Sequence, residues 1–154
     1  MLATLHRQEN VDNQTRLASI LEGFSGSGLK IILPLHPRTK KRMSEFGLSM
    51  PSNVQVIEPV GYLDMVMLEK HASIIATDSG GVQKEAYFHK IPCVTLRDET
   101  EWVELVEAGV NDIVGACTDK IIASLTADKA EFIAQNFIYG NGDAGNKIVS
   151  AFLK

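Results

Sequence analysis

The sequence predicts an α/β domain built on a doubly wound, parallel, six-stranded Rossmann-like sheet. Three observations lead there. Short apolar runs alternate with segments of helical periodicity along the chain. One run, Leu29 to Leu35, is apolar except at Lys30 and Pro34, as a strand covered on both faces should be. The unusual polar residues stand directly after the apolar runs, and ligands on such sheets bind at the carboxyl ends of the strands.

Leu2 to Leu5 is a short opening strand. Val11 to Phe24 follows as a helix, with Leu17, Ile20, Leu21 and Phe24 at helical spacing and Asp12 and Asn13 as capping candidates. Gly26 and Gly28 end it. Leu29 to Leu35 is the second strand, and a short helix after it ends near Gly47. Val54 to Ile57 is the third strand, and Tyr62 to His71 is helical in pattern. Ser73 to Thr77 and Cys93 to Leu96 are the fourth and fifth strands, with a helix from Val82 to His89 between them. Glu101 to Ala108 is helical, with Thr100 as its cap, and Ile113 to Val114 lies in a short sixth strand. From Thr118 to Lys154 the pattern is helical, broken by the turn Tyr139-Gly140-Asn141-Gly142. The expected strand order is 3-2-1-4-5-6. No repeat, linker or low-complexity tract interrupts the chain, so residues 1–154 read as a single domain.

The strongest chemical signal is Thr77-Asp78-Ser79-Gly80-Gly81, where an apolar strand runs into a glycine turn that opens a helix. A helix amino terminus offers unpaired N–H groups and a partial positive charge. Gly80 and Gly81 clear the approach to that backbone, which makes Ser79, Gly80 and Gly81 a phosphate cradle. Glu85 lies four residues beyond Gly81, on the same helix face and ~6 Å along the axis, where a carboxylate suits paired ribose hydroxyls. The plainer reading is a capped helix with a glycine turn.

His6-Arg7-Gln8-Glu9-Asn10 follows the first strand, and His36-Pro37-Arg38-Thr39 follows the second. Either His–Arg pair can serve a phosphate, and a histidine there can move a proton. The plainer alternative for the first is a polar loop in which Glu9 pairs with Arg7. Glu58-Pro59-Val60-Gly61-Tyr62 offers backbone groups and an aromatic ring to a base, unless Tyr62 packs on the sheet. Arg97 after the fifth strand faces the same edge. Trp102, the only tryptophan, is by default a core residue, with a lid or an interface as alternatives. His71 and His89 fall away from that edge and read as structural.

The net charge of −4 argues against a nucleic-acid binder, though not against an anionic small ligand. Cys93 and Cys117 form no close pair; they suggest a reducing, cytoplasmic compartment and no metal site. No run approaches the ~20 apolar residues of a membrane helix, so no membrane association is expected, and Met1 to Asn10 has no signal-type stretch.

Taken in order, these motifs resemble the non-hydrolysing UDP-N-acetylglucosamine 2-epimerases. The resemblance rests on His6 to Asn10, His36 to Thr39, Asp78 to Gly81 with Glu85, Leu96 to Glu101, and Tyr139-Gly140-X-Gly142, and it runs the length of the chain. Thr100-Glu101-Trp102-Val103-Glu104 differs from the family's common Thr-Glu-Arg-Pro-Glu and resembles a branch that includes epimerases of diacetamido sugars.

The resemblance implies the C-terminal half of a glycosyltransferase-B-type fold, with the family's N-terminal domain absent from this chain and required as a partner. It implies a UDP-sugar substrate, elimination and re-addition of UDP without a cofactor, and a homodimer for the full-length protein. By resemblance, Ser79, Gly80 and Gly81 bind phosphate and Glu85 the ribose. Arg7, Arg38 and Arg97 serve the nucleotide, Tyr62 and Met65 approach the uracil, and His6 and His36 stand as catalytic candidates near the diphosphate and sugar. The family's proton-transferring carboxylates lie mainly in the absent domain. The rival readings are the nucleotide-binding half of a glycosyltransferase and a non-catalytic nucleotide-sugar sensor.

Overall fold

A computed structural model describes residues 1–128 and 138–153; the helical reading of 129–137 lies outside the described residues. The strands are β1 (Leu2–Thr4), β2 (Ile31–Pro34), β3 (Val54–Ile57), β4 (Ile75–Thr77), β5 (Cys93–Thr95) and β6 (Asn111–Ile113). They form one sheet in the order β3-β2-β1-β4-β5-β6, and every adjacent pair is parallel. The expected order therefore holds. Register pairs Leu2 with Ile75 and Thr4 with Thr77, so β1 and β4 lie side by side at the centre although 73 residues separate them in sequence.

Side chains alternate across the sheet, as strand geometry requires. Ala3, Leu5, Ile31, Leu33, Ala76 and Val94 belong to the larger apolar core. On that side pack α2 (Gln14–Gly26), α3 (Pro37–Glu45) and α7 (Thr118–Thr126). Helices α2 and α7 approach so closely that a Cβ on Gly23 would stand 2.7 Å from Ile121 Cγ2. Leu2, Ile75 and Cys93 turn to the other face, with Met65, Leu68, Val82 and Ala86 from α4 (Tyr62–Lys70) and α5 (Gly80–His89). The two helix layers make the sheet doubly wound.

Several boundaries differ from the sequence reading. The helix expected from Val11 is two helices, α1 (Gln8–Val11) and α2, because the backbone at Asn13 is extended and its side chain accepts the Arg16 N–H as the α2 cap. Asp12 does not cap α2: it closes α1 as the C-cap, and its side chain accepts from the guanidinium groups of Arg38 and Arg42, which hold its carboxyl below the usual range. Strand β6 takes in Ile113 but not Val114: it runs Asn111–Ile113, and the buried Asn111 side chain at its start bonds Thr95 and Gln83. Helix α6 is Val103–Glu107; Glu101 stays outside it, drawn to Arg97, and Trp102 occupies the cap position. Helix α8 (Ala144–Phe152) follows the glycine turn and exposes Ile148, Val149 and Phe152.

Candidate functional site

Three loops at the carboxyl edge are joined through one residue, Asp78. Its side chain is fully buried. It accepts the backbone N–H of His6 at 3.0 Å, the backbone N–H of Arg7 at 2.9 Å and the Asn10 amide at 3.3 Å. His6 Nδ1 lies 3.1 Å from Oδ1. Since a carboxylate only accepts, Nδ1 carries the proton there and Nε2 is left for a ligand. Asn10, also fully buried, donates to the Leu96 carbonyl at 2.8 Å, so hydrogen bonds tie the loops after β1, β4 and β5 together. Sequence reasoning placed Asp78 in the glycine motif and Asn10 in the first loop but gave neither a role. The available signal was an acid at a strand end, flanked by small residues, opposite a motif rich in donors.

The glycine turn has the expected form. Ser79 has extended backbone, and its hydroxyl accepts the Val82 N–H at 3.4 Å, capping α5. A Cβ on Gly80 would meet Trp102 Nε1 at 3.4 Å, Glu101 Oε2 at 3.5 Å and Arg7 Nη2 at 3.9 Å. These are ordinary van der Waals distances, and they show that the Trp102, Glu101 and Arg7 side chains close around the turn. A Cβ on Gly81 would meet only Ser79 Oγ at 3.8 Å, so the N–H groups there remain open to an anion.

Trp102 is half-buried rather than core: its indole N–H donates to the Gly80 carbonyl at 2.8 Å. The Lys84 ammonium sits 3.6 Å above the Trp102 ring and 4.5 Å from that of Tyr139. Burial and the neighbouring Glu104 push the Tyr139 phenol well above its ordinary value. Tyr139 thus packs against the turn region from the far end of the chain.

The two histidines meet. The rings of His6 and His36 have centroids 6.0 Å apart. His36 caps α3, its Nδ1 accepting the Arg38 N–H at 3.1 Å, so in neutral form its Nε2 bears the proton. Together with Pro59, Val60, Met65 and Val82 they line a cleft of about 220 Å³ between the loops after β1, β2 and β3 and the tops of α4 and α5. Tyr62 does not pack on the sheet; it is 70% exposed at the first position of α4.

Arg7 and Arg97 border a second hollow of about 350 Å³ beside the first, with Gln8 and Glu9. Arg97 is clamped by Glu101 at 2.8 Å and by Glu9 at 3.3 Å. The hydrogen bonds from Arg97 Nη1 to Glu101 raise the Arg97 pKa and lower that of Glu101, while Glu9 adds an ion pair. Glu9 therefore pairs with Arg97, not Arg7, whose Nε donates instead to the Asp78 carbonyl at 3.2 Å. Arg38 turns to Asp12 on the larger-core side. Glu85 lies one turn into α5, facing α4 beneath the cleft. No group of three His, Cys, Asp or Glu among the described residues is arranged to hold a metal.

The geometry has known counterparts. The profile of the UDP-N-acetylglucosamine 2-epimerase family matches residues 1–153. The UDP-2,3-diacetamido-2,3-dideoxy-D-glucuronate 2-epimerase of Pseudomonas aeruginosa is 46% identical over 158 residues, covering 100% of this chain and 44% of that protein. The UDP-GlcNAc 2-epimerase of Methanocaldococcus jannaschii, solved in complex with UDP-GlcNAc and UDP, superposes with a TM-score of 0.82 at 44% identity. That superposition takes in 99% of this chain and 44% of the other. A glycosyltransferase of avilamycin A biosynthesis, 18% identical with a TM-score of 0.62, shares the fold over 99% of this chain and 50% of its own. The chain spans a little under half the length of the relatives it matches.

Proposed function

This chain belongs to the UDP-N-acetylglucosamine 2-epimerase family, and on that premise we propose that it is the UDP-binding half of an enzyme that interconverts UDP-N-acetylglucosamine and UDP-N-acetylmannosamine. The observation that carries the reading is the shared edge. The Ser79-Gly80-Gly81 turn, Arg7 and the His6–His36 pair converge at the carboxyl ends of β1, β2 and β4.

In the proposed reaction the C2 proton is removed and the C1–oxygen bond to UDP breaks, leaving a C1–C2 double bond. UDP then adds back and the proton returns on the opposite face. Atoms and oxidation state balance without a redox cofactor. The demand on this half is electrostatic: UDP gains negative charge as it leaves and must stay in place until it returns. The α5 N–H groups, the Arg7 guanidinium and the Nε2–H of His36 supply that hold, while His6, whose Nε2 carries no proton, can only accept there. Glu85 accepts from the ribose hydroxyls, and Met65 with the Pro59–Val60 loop borders the base. Tyr62, exposed above the cleft, is free to reach the uracil.

The acid and base at C2 belong to a first domain closing over this edge. The exposed apolar face of α8, at Ile148, Val149 and Phe152, supports such a partner. The complete enzyme is proposed as a cytoplasmic homodimer. No helix among the described residues is long and apolar enough to cross a membrane.

A diacetamido uronate is the second candidate sugar, favoured by the Pseudomonas relative and by Trp102 in the Thr100–Glu104 stretch. The test adds a first-domain partner to this chain in heavy water and offers UDP-N-acetylglucosamine and the diacetamido substrate separately. Deuterium at C2 of one sugar identifies the substrate. Retention of protium in both, with tight UDP binding, would instead favour a glycosyltransferase half or a nucleotide-sugar sensor.

A further inference from the structure

Two helices below the cleft bury an acid that the proposed reaction does not use. Glu69, in the last turn of α4, is 0% exposed among Met65, Leu68, Val82 and Ala86. Neither of its carboxyl oxygens receives an N–H or O–H from another described residue. A buried carboxylate without donors is costly, whereas a carboxylic acid brings its own.

The groups facing it are few. From α5, His89 Nε2 stands 3.7 Å from Oε2, beyond a hydrogen bond, and Glu85, four residues earlier on the same helix face, is likewise turned toward α4. At the end of α4, His71 turns its Nδ1 back to the Met67 carbonyl at 2.9 Å, and Asp64 lies about one and a half turns nearer the cleft. The sheet below presents Leu2 and Ile75. Burial first, and then the Glu85 charge, push Glu69 up to about 7.

We propose that Glu69 is a positioning residue for nucleotide binding: its protonated carboxyl donates to one oxygen of Glu85 and leaves the other aimed at the ribose hydroxyls of a nucleoside diphosphate. This rests on the assignment of Glu85 to the ribose. The proton stays on Glu69, and Glu85 remains the charged acceptor. When Glu69 loses its proton, two like charges face each other across the α4–α5 groove and Glu85 swings away. The hydroxyl-dependent part of binding thereby becomes pH-dependent through a residue that never touches the ligand.

The experiment compares UDP with 2′,3′-dideoxy-UDP by calorimetry on the full chain at pH 6 and pH 8.5, so that phosphate and histidine titration cancel in the ratio. In the wild type, the preference for UDP is expected to be about tenfold at pH 6 and to fall several-fold at pH 8.5. Glu69→Gln retains a donor at both pH values and should keep the full preference at both. Glu69→Leu, checked for folding by circular dichroism, should show the low preference at both. Should the leucine variant not fold, the wild-type profile against the glutamine variant still decides.

A wild-type preference that is the same at both pH values overturns the proposal, as does a glutamine variant that behaves like the leucine variant. Failure of the parent assignment looks different. If Glu85→Ala leaves the preference for UDP intact, or no preference exists at either pH, Glu85 does not hold the ribose and both readings fall. If Glu85→Ala abolishes a preference that ignores pH and Glu69, only the proposal for Glu69 falls.

Discussion

Replacing Asp78 tests whether the site is held as one unit. Asp78→Ala removes the acceptor of two backbone N–H groups, at 3.0 and 2.9 Å, of the Asn10 amide at 3.3 Å and of His6 Nδ1 at 3.1 Å. Asn10 is fully buried and keeps its bond to Leu96, so its amide loses one partner of two. His6 is half-buried and Arg7 exposed, so their freed N–H groups regain water in part. Counting about 1–2 kcal/mol for each of the two backbone donors gives a loss of about 2–4 kcal/mol. With a urea slope of about 2 kcal/mol per molar, the unfolding midpoint should drop by roughly 1–2 M, followed by far-ultraviolet circular dichroism. Asp78→Asn keeps one acceptor and turns an amide toward the other N–H, so about half that loss is expected. UDP affinity should fall in the alanine variant as well, because His6 and Arg7 lose their anchor. An alanine variant whose midpoint lies within ~0.3 M of the parent would refute the idea that this carboxylate joins the loops.

Three further outcomes are expected. Glu85→Ala should weaken UDP by roughly tenfold or more while leaving inorganic pyrophosphate nearly unchanged; equal losses in calorimetry would remove Glu85 from the ribose. The chain alone should give neither the manno epimer nor C2 deuterium in proton NMR. The acids nearest the phosphate side are already engaged, Glu9 and Glu101 with Arg97 and Asp98 with Arg16; turnover would force one of them into proton transfer. Stability should also report Glu69. Its proton is held more tightly in the folded chain, with the pKa raised from 4.5 to about 7, so the folded state binds more protons across that window and stability falls as pH rises through it. Relative to Glu69→Gln, the wild type should lose of order 2 kcal/mol between pH 4.5 and 7.5 in urea titrations, after allowance for screening by water at the groove.

The sheet was legible because its strands are apolar and its punctuation is strong. Gly26, Gly28 and the Ser79–Gly81 turn mark changes that only small or capping residues allow, and the strand order follows from right-handed crossovers. The convergence of His6 and His36 was legible for the same reason, since each follows a strand. What stayed hidden was partner choice among charged neighbours. Glu9 is two residues from Arg7, yet it reaches Arg97, because the α1 turn carries it away from the Asp78 side. The task of Asp78 was only faintly legible, since half of what it binds is main chain, whose donors a sequence does not distinguish. Asn13 was legible as a cap, and it caps α2; the separate α1 turn before it was not, because Gln8 to Asn10 carry no apolar spacing.

The bond from the Trp102 indole to the Gly80 carbonyl has an optical consequence. The chain's only tryptophan is clamped between a peptide oxygen of the glycine turn and the Lys84 ammonium. Indole emission depends on the field across the ring. A diphosphate arriving at Gly81 that drew Lys84 off the ring face would therefore change the intrinsic fluorescence without any attached dye, so the turn carries its own reporter of occupancy.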